Sequence, residues 1–160
     1  MITKWLTVNF LTIFIIVLWS NLQGYDSNSI LLSKIFAQVA FILLLINLNM
    51  YFVFLIIRKS NRRDIKIRLA KISIRMMKYH VAIAVTATLL VLLHSGIMVY
   101  AYYENLMKGK TISGIILIAI LSILLLSGFL RRRKATGKRR KFHYKMAFLF
   151  FGFLFLHIFL

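Results

Sequence analysis

The sequence predicts an all-α, polytopic membrane bundle of five transmembrane helices, and three observations carry that prediction. Hydrophobic residues make up 61% of the 160-residue chain and mean hydropathy is +0.86, more apolar sequence than a soluble domain can bury. Only three acids, Asp26, Asp64 and Glu104, stand against 22 Lys plus Arg. Finally, 18 of those 22 cations fall in two stretches, 58–78 and 131–145. The runs between and around these stretches are long enough to cross a hydrocarbon layer of about 30 Å, which takes about 20 residues.

The first span runs from Trp5 to Trp19, with tryptophan at each end as an interfacial anchor. No small-x-small cleavage signal follows it between Ser20 and Gly24, which favours a retained helix over a signal peptide. A polar turn, Gln23 to Ser29, leads into a second span from about Ile30 to Ile57, with Lys34 near one end and expected to snorkel. These two spans make up residues 1–57. The basic segment 58–78 holds nine cations and one acid, Asp64. Its Ile65, Leu69, Ile72 and Met76 recur at helical spacing, so it is expected to be partly an interfacial helix or an extension of the next span.

The third span is expected from Tyr79 to Tyr102, the fourth from Ile112 to Leu130 and the fifth from about Phe142 to Leu160, with a second basic loop over 131–145. Two spans separate the basic segments, so both belong on one face of the membrane. The positive-inside rule makes that face cytoplasmic. The expected protein is thus a single multi-pass domain of the cytoplasmic membrane, N-terminus inside and C-terminus outside. Charge beside a span is read as topology, so no nucleic-acid partner is expected.

The chemistry is concentrated in 79–160. The four histidines fall into two pairs with one interval: His80 and His94 lie 14 residues apart, as do His143 and His157. Fourteen residues are nearly four helical turns, so each pair shares one face with its rings about 21 Å apart along the axis. Side by side, the third and fifth spans would set His80 against His143 at the inner level and His94 against His157 at the outer level. Two bis-imidazole sites stacked across a bilayer suit two b-type haems, because the porphyrin supplies the other four nitrogens. Structural zinc wants four protein ligands together, and each level offers two. With no cysteine in the chain, disulfides, iron–sulfur clusters, thiolate haem ligation and C-x-x-C-H attachment are excluded. No carboxylate lies where a proton relay inside the membrane would need one.

A second repeat supports these levels. Ser113-Gly114 and Ser127-Gly128 recur at the same interval of 14 on the fourth span. That span runs opposite to its neighbours, which puts Gly114 at the outer level and Gly128 at the inner one. Both glycines are expected to give a flat macrocycle clearance, and the serine hydroxyls to reach a haem edge or a backbone carbonyl. Lys78, Arg131 and Lys145 are near enough in sequence to the inner ligands to meet anionic haem propionates.

Paired H-x13-H helices resemble the transmembrane domain of the ferric reductase and NADPH oxidase family, and also cytochrome b of respiratory complex III. In the ferric reductase group the ligand helices are the third and fifth, as here, whereas in cytochrome b they are the second and fourth. The resemblance covers Tyr79 to Leu160, about half of the chain, and no flavin or nicotinamide domain is expected to accompany it. It implies the electron-transfer subunit of an oxidoreductase, with His80, His94, His143 and His157 as iron ligands and no catalytic residue of its own. Axial imidazoles on both irons suit electron transfer better than oxygen chemistry. The expected partners are a cytoplasmic flavoprotein donor and an outer acceptor. The alternative is a quinone-linked cytochrome b anchor taking electrons from a quinol, and a haem sensor, haem carrier or structural subunit forms a third class. His157 lies three residues from the last one, which leads to the expectation that a neighbouring subunit, a second copy or another redox protein, covers the outer site.

Overall fold

The computed structural model describes residues 2–160. They form α1 (Ile2–Leu22), α2 (Asn28–Lys59), α3 (Arg63–Ala101), α4 (Gly109–Arg133) and α5 (Gly137–Phe159), with a short 3-10 turn at Tyr103–Asn105. The protein is all-α, and its five helices are each long and apolar enough to cross a membrane. With no proline anywhere in the sequence, no position lacks the backbone donor that helix propagation uses. The helices gather into two compact units, Met1–Ala101 and Tyr102–Leu160.

In the first unit α1 lies against α2, and α2 packs along α3. Gly24, at φ +62°, ends the turn after α1 in a conformation that glycine adopts without strain. Lys34 turns back onto that turn and donates to the carbonyls of Ser20 (3.4 Å) and Gly24. Its cation thereby covers carbonyl groups at the end of α1. A polar chain ties α1 to α2: Trp5 Nε1 donates to Asn49 Oδ1 (2.8 Å), and Asn49 Nδ2 donates to Asn9 Oδ1 (2.7 Å). Trp5 thus spends its indole N–H inside the unit. Ser27 caps α2 by accepting from Ile30 N.

Both basic stretches are more helical than loops. In 58–78 only 60–62 lie outside helices, and α3 runs unbroken for 39 residues, about 58 Å. Residues 63–78 therefore extend the third span. The second loop, expected over 131–145, shrinks to 134–136, because α4 continues through Arg133 and α5 begins at Gly137. Lys and Arg are good helix formers, so charge alone does not end a helix. The stop is made by caps instead. Thr136 Oγ1 accepts from Arg139 N (3.2 Å), and Arg139 Nη1 donates to the carbonyls of Leu130 (2.8 Å) and Lys134 (3.3 Å). One guanidinium thereby satisfies the open end of α4 and joins it to the start of α5.

Candidate functional site

The tight α4–α5 turn sets an antiparallel register that holds over the whole hairpin. At the level nearer the turn, Ser127 Oγ lies 2.8 Å from His143 Nδ1. At the far level, Ser113 Oγ lies 2.8 Å from His157 Nδ1. Each serine is followed by the glycine of its dipeptide, and that glycine faces the same ring. A methyl group added at Gly128 would stand 3.3 Å from His143 Cε1, and one at Gly114 would stand 3.3 Å from His157 Cε1. The two Ser-Gly dipeptides are thus two copies of one clasp, in which serine takes the ring's Nδ1 and glycine makes room for its edge. The clearance at Gly114 and Gly128 is occupied by imidazole within this hairpin.

In the first unit α2 and α3 repeat the scheme with different residues. Ser33, fully buried, lies 2.9 Å from His94 Nδ1 and donates through Oγ to the His94 carbonyl (3.1 Å). His94 Nδ1 also lies 3.1 Å from the Ser33 carbonyl oxygen. One helical repeat further along, Asn47 Nδ2 donates to the His80 carbonyl (3.2 Å). Ser33 and Asn47 are themselves 14 residues apart. All four helices from α2 to α5 therefore carry polar residues at one interval, a serine or asparagine helix facing a histidine helix in each hairpin. Sequence reasoning missed Ser33 and Asn47, although their shared interval was visible. It foresaw a backbone carbonyl as a partner of Ser113 and Ser127 without foreseeing the imidazoles.

The four histidines are half-buried, in helices whose neighbouring residues are mostly apolar. A ring whose Nδ1 is held by a hydroxyl or carbonyl is oriented to coordinate a metal through Nε2, the arrangement second-shell partners impose on ligating histidines. Among the described residues no group of three or more His, Cys, Asp or Glu gathers to hold a metal ion. At His94, His143 and His157 the partners that hold the ring are neutral, a serine hydroxyl in each case and a backbone carbonyl as well at His94.

Of the expected propionate contacts, Arg131 is half-buried near the end of α4, while Lys78 and Lys145 are exposed. Lys78 Nζ lies 5.9 Å from the Tyr79 ring centroid, within cation–π range. A cavity of about 200 Å³ opens beside the clasp nearer the turn, lined by Ser127, Leu130, Lys138, Arg139 and Phe142. It adds two cations that the sequence reading did not single out. Set against protein-family models, curated proteins and solved structures, the chain matches none of them, so its function is argued from these side chains.

Proposed function

We propose that the chain is a dihaem b-type membrane cytochrome that carries electrons across the bilayer, similar in its ligand helices to the ferric reductase group. On this reading His80 and His143 ligate an inner haem, and His94 and His157 ligate an outer one. The observation that carries the proposal is the duplicated clasp. Two histidines 14 residues apart meet two Ser-Gly dipeptides 14 residues apart, with Nδ1 held at 2.8 Å in both. A pair of unrelated polar contacts between helices has no reason to repeat ring orientation, hydroxyl partner and glycine clearance together.

Bound haem supplies one-electron chemistry between ferrous and ferric iron. The chain's own residues orient the ligands, keep the sites in an apolar surrounding and provide cations for propionates. Lys138 and Arg139 join Lys78, Arg131 and Lys145 as inner-level candidates. The basic ends of both hairpins face the cytoplasm by the positive-inside rule, which puts the C-terminus outside and makes the inner haem the one a cytoplasmic flavoprotein donor would reach. An outer acceptor or neighbouring subunit would meet the level of His94 and His157.

The decisive measurement is haem content. Purified chain should show a low-spin b-type spectrum and two haems per chain by pyridine haemochrome. His80→Ala and His143→Ala should remove one and the same haem, and His94→Ala and His157→Ala the other. A wild-type chain without haem after expression with ample haem supply would end the proposal, and crosswise loss would overturn the pairing.

A further inference from the structure

The hydroxyl groups of the clasps have one proton each, and each of those protons is already placed. Ser113 Oγ donates to the Lys110 carbonyl at 2.8 Å, Ser127 Oγ to the Leu124 carbonyl at 2.6 Å, and Ser33 Oγ to the His94 carbonyl at 3.1 Å. A carbonyl oxygen only accepts, so in all three cases the serine must be the donor. Toward the imidazole the same oxygen is therefore left as an acceptor, and the proton between Oγ and Nδ1 has to belong to Nδ1. His94 gives an independent check, since its Nδ1 also faces the Ser33 carbonyl at 3.1 Å, which likewise requires N–H on the ring. A neutral imidazole with hydrogen on Nδ1 carries its lone pair on Nε2.

We propose that Ser33, Ser113 and Ser127 are positioning residues that fix His94, His157 and His143 as Nδ1–H tautomers, which commits each ring to coordinate through Nε2. The tautomer follows from the hydrogen bonds alone, whereas its use for iron rests on the haem reading. The backbone carbonyl is essential to the device. A serine free to rotate could offer its own proton to Nδ1 and stabilise the opposite tautomer, whose exposed Nε2–H cannot bind a metal. Donating to a carbonyl of its own helix, three residues back, removes that choice for Ser113 and Ser127. Ser33 reaches the same state through the facing helix. Once iron is bound, an Nδ1–H that donates to an oxygen makes the ring a stronger electron donor, which favours ferric over ferrous iron.

The test uses the full chain in lipid nanodiscs, labelled with 15N at histidine and kept reduced so that any low-spin haem is diamagnetic. Long-range 1H–15N correlation spectra should show hydrogen on Nδ1 for His94, His143 and His157. Hydrogen on Nε2 of any of the three would overturn the assignment. Ser127→Ala should change the Nδ1–H resonance of His143 and leave that of His157, and Ser113→Ala should do the reverse. Ser→Thr, which keeps the acceptor, should restore both. In haem-loaded protein each alanine variant should raise the midpoint potential of the haem at its own level and weaken its binding about 10- to 100-fold. Unchanged resonances and potentials in the alanine variants would reduce the serines to packing. A failure of the haem reading looks different, because the three Nδ1–H signals would persist in a chain that takes up no haem.

Discussion

At the scale of single residues, the helical glycines of α3 and α4 separate two effects that usually travel together. Exchanging a helical glycine for alanine gains about 1 kcal/mol of intrinsic helix stability. At Gly96 nothing stands within 4 Å of the added methyl group, so Gly96→Ala should resist heating as well as wild type or better and, on the proposed haem reading, leave haem content unchanged. At Gly128 the methyl group meets His143 Cε1 at 3.3 Å, and the ring must give way by a few tenths of an ångström. That ring is tied to Ser127 at 2.8 Å, so the displacement falls on the ligand. On the proposed haem reading, Gly128→Ala should therefore lower occupancy of the haem at His143 about tenfold at limiting haem, and Gly114→Ala should do the same for the haem at His157. Haem titration followed by absorbance compares all three variants directly. The interval of 14 was legible in the sequence because periodicity survives without knowledge of neighbours. The role of Ser33 was not, since a serine in an apolar run acquires meaning only from the helix it faces.

At the scale of elements, α3 decides how far the protein reaches beyond the hydrocarbon. Its 39 residues cover about 58 Å, nearly twice the apolar thickness of a bilayer. Residues 63–78 form a helical extension about 24 Å long, bearing Arg63, Lys66, Arg68, Lys71, Arg75 and Lys78. The helical spacing of Ile65, Leu69, Ile72 and Met76 was readable from sequence, whereas the absence of a break before Tyr79 was not. Nothing local marks such a junction, because Met76, Met77 and Lys78 propagate a helix as readily as the residues around them. The chain has no cysteine, so single cysteines introduced here report without background. Lys66→Cys, exposed on the extension, should react with a membrane-impermeant maleimide in inverted vesicles. Leu89→Cys, 57% exposed in the isolated chain but in the centre of the span, should stay unmodified until detergent is added. Equal labelling at both positions would contradict the assigned span.

At the scale of the whole molecule, charge is distributed by topology. The two hairpin turns, 60–62 and 134–136, are flanked by nearly all the cations, while the α1–α2 and α3–α4 connections carry the acids Asp26 and Glu104. Alkaline phosphatase fused after residue 26 or after residue 105 should be active, and the same reporter fused after residue 135 inactive, the pattern of an N-terminus inside. The reverse pattern would exchange the inner and outer levels of the proposed haem sites. The five-helix architecture was legible from apolar runs and charge blocks alone. The exact ends of the helices were not, because Thr136 and Arg139 set the α4–α5 turn through contacts rather than composition. The clasped imidazoles have one more consequence, which concerns entropy. A mobile side chain frozen at the moment of binding costs about 0.5–1.5 kcal/mol. His94, His143 and His157 lose that freedom when their hairpins fold, so on the proposed haem reading the inner haem, with His143, is spared about 0.5–1.5 kcal/mol and the outer haem, with His94 and His157, about 1–3 kcal/mol. At 1.4 kcal/mol per factor of ten, that reading has the one pre-set ring tighten the inner site by up to about tenfold and the two pre-set rings tighten the outer site about five- to a hundredfold, relative to the same helices with loose rings.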